Sequence, residues 1–286
     1  MGEVSYRPPV HLRPMSGRTF SRFSHFIRSE LGINITEAKK TMLQARLQKR
    51  MRQLGMGSFD DYYDFVFSPD GTAERLHMID VITTNKTDFF REPRHFEYLT
   101  ETAMPALIRH GVGISRRALI WSAGCATGEE PYTLAMVLSE FAAGHHGFDF
   151  SIIGTDISTQ VLQKAAVGIY AHDKVAPVPM PLRKKYLLRS KDPGRNQVRI
   201  IPALRAKVAF RRLNFMDPDF GLRESADIVF CRNVIIYFDR PTQELVLSRI
   251  CRHLRSGGYL FMGHSETLNG LNVNLVPTTS TVYRKP

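Results

Sequence analysis

The sequence is poor in the devices that staple or anchor a chain. It has three cysteines in 286 residues, Cys125, Cys231 and Cys251, and no two stand in a CxxC pair. That scarcity argues against a zinc ribbon and a disulfide framework, and no metal is expected. No run of 18 or more apolar residues occurs, and the opening MGEVSYRPPVHLRP lacks the apolar centre of a signal peptide. A cytoplasmic protein without membrane insertion is the expectation. Internal repeats and low-complexity tracts are also missing. What the chain does have is length and 43% hydrophobic residues, enough to bury a core unaided. Acidic residues are the minority charge: 39 Lys+Arg against 27 Asp+Glu leave +12, a field that favours acidic partners.

Two rhythms follow one another. Up to about Arg109 the pattern is helical, with Ser58 and Asp61 spaced like a capping box and SPDGT (68–72) as a turn into a new helix. After Arg117, short apolar runs alternate with helices: ALIW, EEPYTLAMVLSEFAAG, FSIIGTD, STQVLQKAAVGIY. Later come ADIVFC, the helix PTQELVLSRICRHLRSGG stopped by Gly257 and Gly258, the strand YLFMG and a closing STVYRK. Such alternation predicts βαβ units on a parallel sheet. The stretch from Tyr170 to Asn214 is too long for a simple connection. Its DPGRN turn before the alternating QVRII predicts a small β-hairpin insertion. The expected fold is α/β: a doubly wound, Rossmann-like domain with a small antiparallel β-subdomain, preceded by an all-α domain. Expected boundaries are 1–84 for the helical domain, 85–117 for a linking segment and 118–286 for the α/β domain, with the insertion at about 175–206.

One helix stands out by what it omits. Ala38 to Leu54 carries six basic residues and no acid. Leu43, Leu47, Met51 and Leu54 form its apolar stripe, while Arg46, Lys49 and Arg52 project away. An ordinary solvated face mixes signs, so Lys39, Arg46, Lys49, Arg50 and Arg52 are candidate docking residues for an acidic surface. No aromatics interleave for base stacking, and no nucleic-acid partner is expected.

WSAGCATGEEPY (121–132) places small residues where a strand turns into a helix. A dinucleotide fingerprint would set a pyrophosphate on that helix N-terminus. Here Glu129 and Glu130 occupy it; they would repel a phosphate but suit the helix dipole and a cationic ligand. S-adenosyl-L-methionine, with a sulfonium, an ammonium and no phosphate, fits. Successive strand ends should supply the remaining contacts. IIGTD ends in Asp156, an acceptor for two ribose hydroxyls; RRLNF ends near Asn214, able to meet an adenine edge; DIVFCRN ends in Arg232 and Asn233. Each alone is an ordinary cap or turn former, but four in this order after a small-residue loop are not. The fourth strand continues as CRNVIIYF, without the prolines of enzymes that methylate exocyclic amines. A carboxylate suits the site better: with a reference pKa of about 4.3 it arrives ionised, so no general base is needed. What is left to the protein is alignment. His264, Cys125, Cys231 and Trp121 read as structural.

Together NKTDFFRE (85–92), WSAGCATGEEPYTLAM, GTDIS, FCRNVIIYF and GHSE (263–266) resemble the bacterial chemotaxis receptor methyltransferases of the CheR family, from about Phe20 to Arg284. The resemblance implies esterification of glutamate γ-carboxylates on the cytoplasmic helices of methyl-accepting chemoreceptors. S-adenosyl-L-methionine would be donor and S-adenosyl-L-homocysteine product. It implies that Asn85, Thr87 and Arg91 join Gly124, Glu130, Asp156, Leu213, Asn214, Arg232 and Asn233 in the cofactor pocket, with Glu129 the alternative to Glu130. It further implies that Arg91 and Tyr237 flank the transferred methyl. From the residues alone, NKTDFFRE reads as a helix start with Thr87 as N-cap and Phe89 and Phe90 as core. The resemblance also assigns the basic helix to the receptor and the β-subdomain to a receptor C-terminal pentapeptide. This chain has only Gly194, beside Pro193, where other members carry more glycine, so the peptide tether stays an alternative. Two other readings compete: a nucleic-acid methyltransferase and a cofactor-binding regulatory module without turnover.

Overall fold

Helix caps and glycine stops divide the early chain into short rods. Ser16 caps Gly17–Leu31 by accepting the Thr19 N–H at 3.0 Å, and Gly32 ends it at φ 70°. Lys40–Leu54 ends likewise at Gly55, φ 71°. Ser58 caps Phe59–Val66 through the Asp61 N–H, as its spacing predicts, and the Ser68 turn leads into Thr72–Ile82. The apolar stripes of these rods meet: Phe23, Ile27, Leu43, Leu47, Met51, Tyr62, Val66 and Met78 are wholly buried. Each such side chain contributes about 1.5–3 kcal/mol of burial.

The protein is seen in a computed structural model that describes residues 13–192 and 194–286. The opening MGEVSYRPPVHL and Pro193, on which the readings of the N-terminus and of the DPGRN turn partly rest, lie outside the described residues. Two compact units result, one ending at Thr84 and the other running from Asn85 to Pro286. Among the described residues no helix is long and apolar enough to cross a membrane.

Among the described residues the second unit has ten strands: β1 Ala118–Ala123, β2 Phe150–Asp156, β3 Ile169–Ala171, β4 Leu187–Arg189, β5 Gln197–Ile200, β6 Val208–Arg212, β7 Ala226–Cys231, β8 Leu254–Met262, β9 Val276–Thr279 and β10 Val282–Arg284. Seven form one sheet in the order β6-β2-β1-β7-β8-β10-β9. The first five run parallel; β10 runs antiparallel to β8, and β9 antiparallel to β10. Chain order reverses between β1 and β7, and a doubly wound sheet opens its ligand crevice at the carboxyl ends beside such a switch point. The two central strands are buried on both faces: every residue of β1 and of β7 is buried, and all but Ser122 and Asp227 are apolar.

Three local readings change. The helix of STQVLQKAAVGIY stops at Val167 with Gly168 at φ 64°, and IYA becomes β3. The β insertion is therefore a three-stranded antiparallel sheet, β3-β5-β4, rather than a hairpin. Arg240–Arg252 ends before the two glycines, which lie inside β8; a Cβ on Gly258 would stand 2.6 Å from the Asp227 carbonyl. Gly258 thus serves close strand pairing and Gly257 a left-handed turn of the strand at φ 80°, not helix termination. The edge strand β9 contains Pro277, which obscures it in sequence, though an edge tolerates a missing N–H donor.

Candidate functional site

The glycine loop between β1 and Glu129–Ala143 is shaped by backbone that few residues accept. Gly124 has φ 80° and Gly128 φ 94°. A Cβ on Gly124 would meet Val234 Cγ2 at 2.5 Å, and one on Gly128 would meet Ala165 Cβ at 2.8 Å. The loop is bound to the end of β2: Gly124 and Cys125 donate to the Thr155 carbonyl, and the Ala126 N–H donates to Asp156 Oδ2 at 2.9 Å. The Ser158 N–H holds the other oxygen at 3.0 Å, so the Asp156 carboxylate is oriented from both sides. Leu213 donates to the Asp156 carbonyl and is buried, which sets β6's exit beside the same crevice. Asn214 Oδ1 accepts the Met216 N–H in a turn.

The two glutamates separate in role. Glu129 turns to the Thr127 hydroxyl at 2.6 Å. Glu130 accepts from Ser122 Oγ at 2.7 Å and lies 3.3 Å from Arg232. Arg232 is buried, reaches Glu92 at 3.1 Å on its other side, and donates to the Arg91 carbonyl. One guanidinium therefore joins the 85–92 segment, the first turn after the glycine loop and the end of β7. Burial pushes the Glu130 carboxyl up, and Arg232 and Ser122 only partly offset it. A largely buried carboxylate in this state fits a cationic ligand, which would relieve its desolvation. With Asp156 aligned for hydroxyls and the loop free of Cβ atoms at Gly124, the residues fit the amino-acid and ribose parts of S-adenosyl-L-methionine.

The segment NKTDFFRE differs from the helix start predicted for it. Helix begins only at Arg94, after Pro93, and Thr87 is not its cap. Phe89 is buried, as predicted, and Phe90 is half-buried with its N–H on the Thr133 hydroxyl. Arg91 is half-buried and donates to the Lys86 carbonyl; Asn85 and Thr87 are half-buried as well. Among the described residues, the non-glycine positions with left-handed backbone are Phe90, Glu92, Ala126 and Asn233. Such conformations cost about 1–3 kcal/mol each and persist where surroundings impose them. All four lie in the three segments just described.

Glu92, His95 and His264 place a carboxylate oxygen and two ring nitrogens within 4.8 Å of one another. Arg232 stands 3.1 Å from the same Glu92 oxygen, so the charge a metal ion would neutralise is already balanced. Burial and the Arg232 charge push the His95 imidazole down to about 4, leaving it neutral beside the Thr281 hydroxyl at 2.7 Å. His264 is no core residue: its side chain is 58% exposed. Trp121 is buried and donates to the Thr155 hydroxyl, and burial pushes the Cys125 and Cys231 thiols up. Tyr237 closes the short 3-10 turn Ile235–Tyr237 and is half-buried; among the described residues nothing hydrogen-bonds its hydroxyl.

Of the five candidate docking residues in the helical unit, Lys39, Lys49 and Arg52 are exposed. Arg46 and Arg50 are not loose surface charges. Arg46 donates to the Ile82 carbonyl and the Thr84 hydroxyl, and Arg50 forms a two-pronged pair with buried Glu74 at 2.6–2.9 Å. Helical periodicity shows which face a residue occupies but not that a carboxylate from another helix meets it.

A doubly wound sheet with an acid-headed glycine loop and no phosphate cradle defines a methyltransferase of the S-adenosyl-L-methionine-binding kind. The comparisons agree. Residues 85–284 match the CheR methyltransferase, SAM binding domain, and residues 18–83 the CheR methyltransferase, all-alpha domain. The chain belongs to the CheR methyltransferase family. It is 37% identical to a chemotaxis protein methyltransferase of Borreliella burgdorferi over 267 residues, 93% of either chain. It is 40% identical to chemotaxis protein methyltransferase 2 of Pseudomonas aeruginosa, covering 82% of this chain and 81% of that one. The Escherichia coli chemotaxis protein methyltransferase is 35% identical over 94% of this chain and 91% of its own length.

Proposed function

We propose that the protein esterifies glutamate γ-carboxylates on the cytoplasmic helices of chemoreceptors, and that it works in the cytoplasm. The observation that carries the reading is the character of the side chains assigned to the acceptor. Arg91 and Tyr237 both offer hydrogen-bond donors, and the acids nearby, Glu92 and Glu130, are tied to Arg232. An acceptor that needed deprotonation would find no free base among these groups; a carboxylate needs none. The cofactor supplies a methyl group on positively charged sulfur and leaves as S-adenosyl-L-homocysteine.

The chain's residues bind and align. Glu130 faces the cofactor's positive end, Asp156 takes the ribose hydroxyls, and Leu213 and Asn214 border the adenine. Gly124 lets the backbone approach, and Asn85, Thr87, Arg232 and Asn233 complete the pocket. Arg91 and the Tyr237 hydroxyl orient the substrate carboxylate for in-line approach. A tight ion pair there would stabilise the starting carboxylate more than the transition state, whose charge is partly cancelled. Half-buried Arg91, with one arm on the Lys86 carbonyl, suits orientation rather than a grip.

Lys39, Lys49 and Arg52 offer the exposed positive face for acidic receptor helices, with Arg46 and Arg50 shaping the helix beneath. The outer strands of the β3-β5-β4 sheet offer an edge to which a receptor C-terminal peptide can add. Purified protein incubated with methyl-labelled cofactor and receptor-containing membranes should label receptor protein. Mild alkali should then release the label as methanol. Alkali-stable label would point to an amine or nucleic-acid acceptor, and cofactor binding without labelling to a regulatory module.

A further inference from the structure

Glu266 is the last residue of GHSE, and its carboxylate is buried. It is filled by backbone. Oε1 accepts the N–H groups of Val234 and Ile235, each at 2.9 Å. Oε2 accepts those of Asn233 at 2.8 Å and Gly263 at 2.7 Å. Successive N–H groups converging on one anion form a nest, here occupied by the protein's own side chain. The nest bridges the carboxyl ends of β7 and β8 and sets the turn running from Arg232 and Asn233 to Tyr237.

Two features show that this turn is held rather than relaxed. Asn233, the first of the three successive donors, has φ 58°, which a non-glycine residue avoids. Gly263 fits only because it lacks a side chain: a Cβ would stand 2.5 Å from Asn233 Nδ2 and 2.9 Å from Glu266 Oε2. Burial pushes the Glu266 carboxyl up while the four N–H groups pull the other way, so the hydrogen bonds are what favour its charged form. The family's residue-by-residue resemblance assigns no role to this carboxylate, and no sequence period points to it.

We infer that Glu266 is a positioning residue for methyl transfer: its carboxylate imposes the left-handed turn that presents Asn233 to the cofactor and Tyr237 to the substrate. This rests on the function proposed above. Because each oxygen serves two donors, Glu266→Gln keeps the volume but turns an NH2 toward two N–H groups. The turn should relax at Asn233 without opening the core.

The test compares wild type, Glu266→Gln and Glu266→Ala by melting temperature, cofactor affinity, amide exchange at residues 233–235, and kcat and receptor KM from alkali-released label. Glu266→Gln should stay folded, lose cofactor affinity, exchange faster at those amides and lose about 100-fold in kcat, the scale of a misplaced reacting group. Receptor KM should hold, because the basic helix is untouched. In Glu266→Ala the vacated nest should take formate from solution and regain activity, while chloride, which cannot bridge four donors, should not restore it. Native kcat in Glu266→Gln, a matching rise in receptor KM, or no formate rescue in a folded Glu266→Ala would each overturn the inference. Should Glu266→Ala not fold, Glu266→Gln decides. If wild type itself yields no alkali-labile label, the functional reading fails; cofactor affinity and amide exchange still judge Glu266.

Discussion

Arg232→Gln is the sharpest perturbation of the site's frame. The guanidinium is 2% exposed and shared between Glu92 at 3.1 Å and Glu130 at 3.3 Å. Its removal leaves two largely buried carboxylates, 11% and 14% exposed, without a counter-charge. Breaking a buried pair in this way typically costs about 3–5 kcal/mol. For a unit of this size 1 kcal/mol moves the melting temperature by about 2–4 °C, so a drop of roughly 10 °C is expected at pH 7.5. The pH dependence has a definite sign. Arg232 holds the Glu92 carboxyl below its ordinary value against burial, and restrains the rise at Glu130. Without it both folded-state values climb above those of the unfolded chain. Stability is then recovered below those values and lost as pH rises through them. The gap between variant and wild type should therefore narrow markedly at pH 5.5. Melts followed by circular dichroism at the two pH values would read this out. A variant as stable as wild type at pH 7.5, or an equal deficit at both, would refute the argument that Arg232 acts as a shared counter-ion.

The remaining predictions are briefer. Gly124→Ala must accept φ 80° and a 2.5 Å approach to Val234, so it should cost about 1–3 kcal/mol and weaken cofactor binding at least as much, measurable by calorimetry. Glu74→Gln removes the charge facing Arg50 and one of the two oxygens that accept from Arg50 and the Tyr62 hydroxyl in the helical unit, and should cost about 3 kcal/mol in denaturant unfolding at pH 7. Burial opposes it, yet Arg50 and Tyr62 hold Glu74 below its usual value, so its stabilisation is present above the unfolded carboxyl's pKa and lost as pH falls through the folded one. The penalty of Glu74→Gln should accordingly shrink in acid. Lys49→Glu with Arg52→Glu should raise receptor KM in low salt and leave cofactor affinity and melting temperature nearly unchanged. The difference from wild type should fade above about 0.3 M salt as exposed charges are screened.

Much of the frame was legible in the residues. Two periods, helical and then strand–helix, place the helical and α/β parts, because burial of one face or both leaves its mark on side-chain order. The local positions of Gly124, Glu130 and Asp156 are legible for a related reason: a glycine that must turn, an acid at a helix start and an acid at a strand end are local requirements. The β9 strand escaped because pairing at an edge overrides Pro277's poor strand propensity. NKTDFFRE departs from its helix-start pattern for the same kind of reason, since its two left-handed residues are imposed by packing where propensity favours a helix start.

What only the tertiary structure decided is which charges meet. Arg232 lies more than a hundred residues from both Glu92 and Glu130, and Glu266 closes on N–H groups some thirty residues earlier. Arg50 and Arg52, neighbours in one basic run, part company because Glu74 from another helix reaches only the first. Sequence determines composition, periodicity and local backbone demands, all properties of a short stretch. Counter-ion choice, nest formation and pKa direction depend on distances between stretches, and those exist only once the sheet and helices have packed.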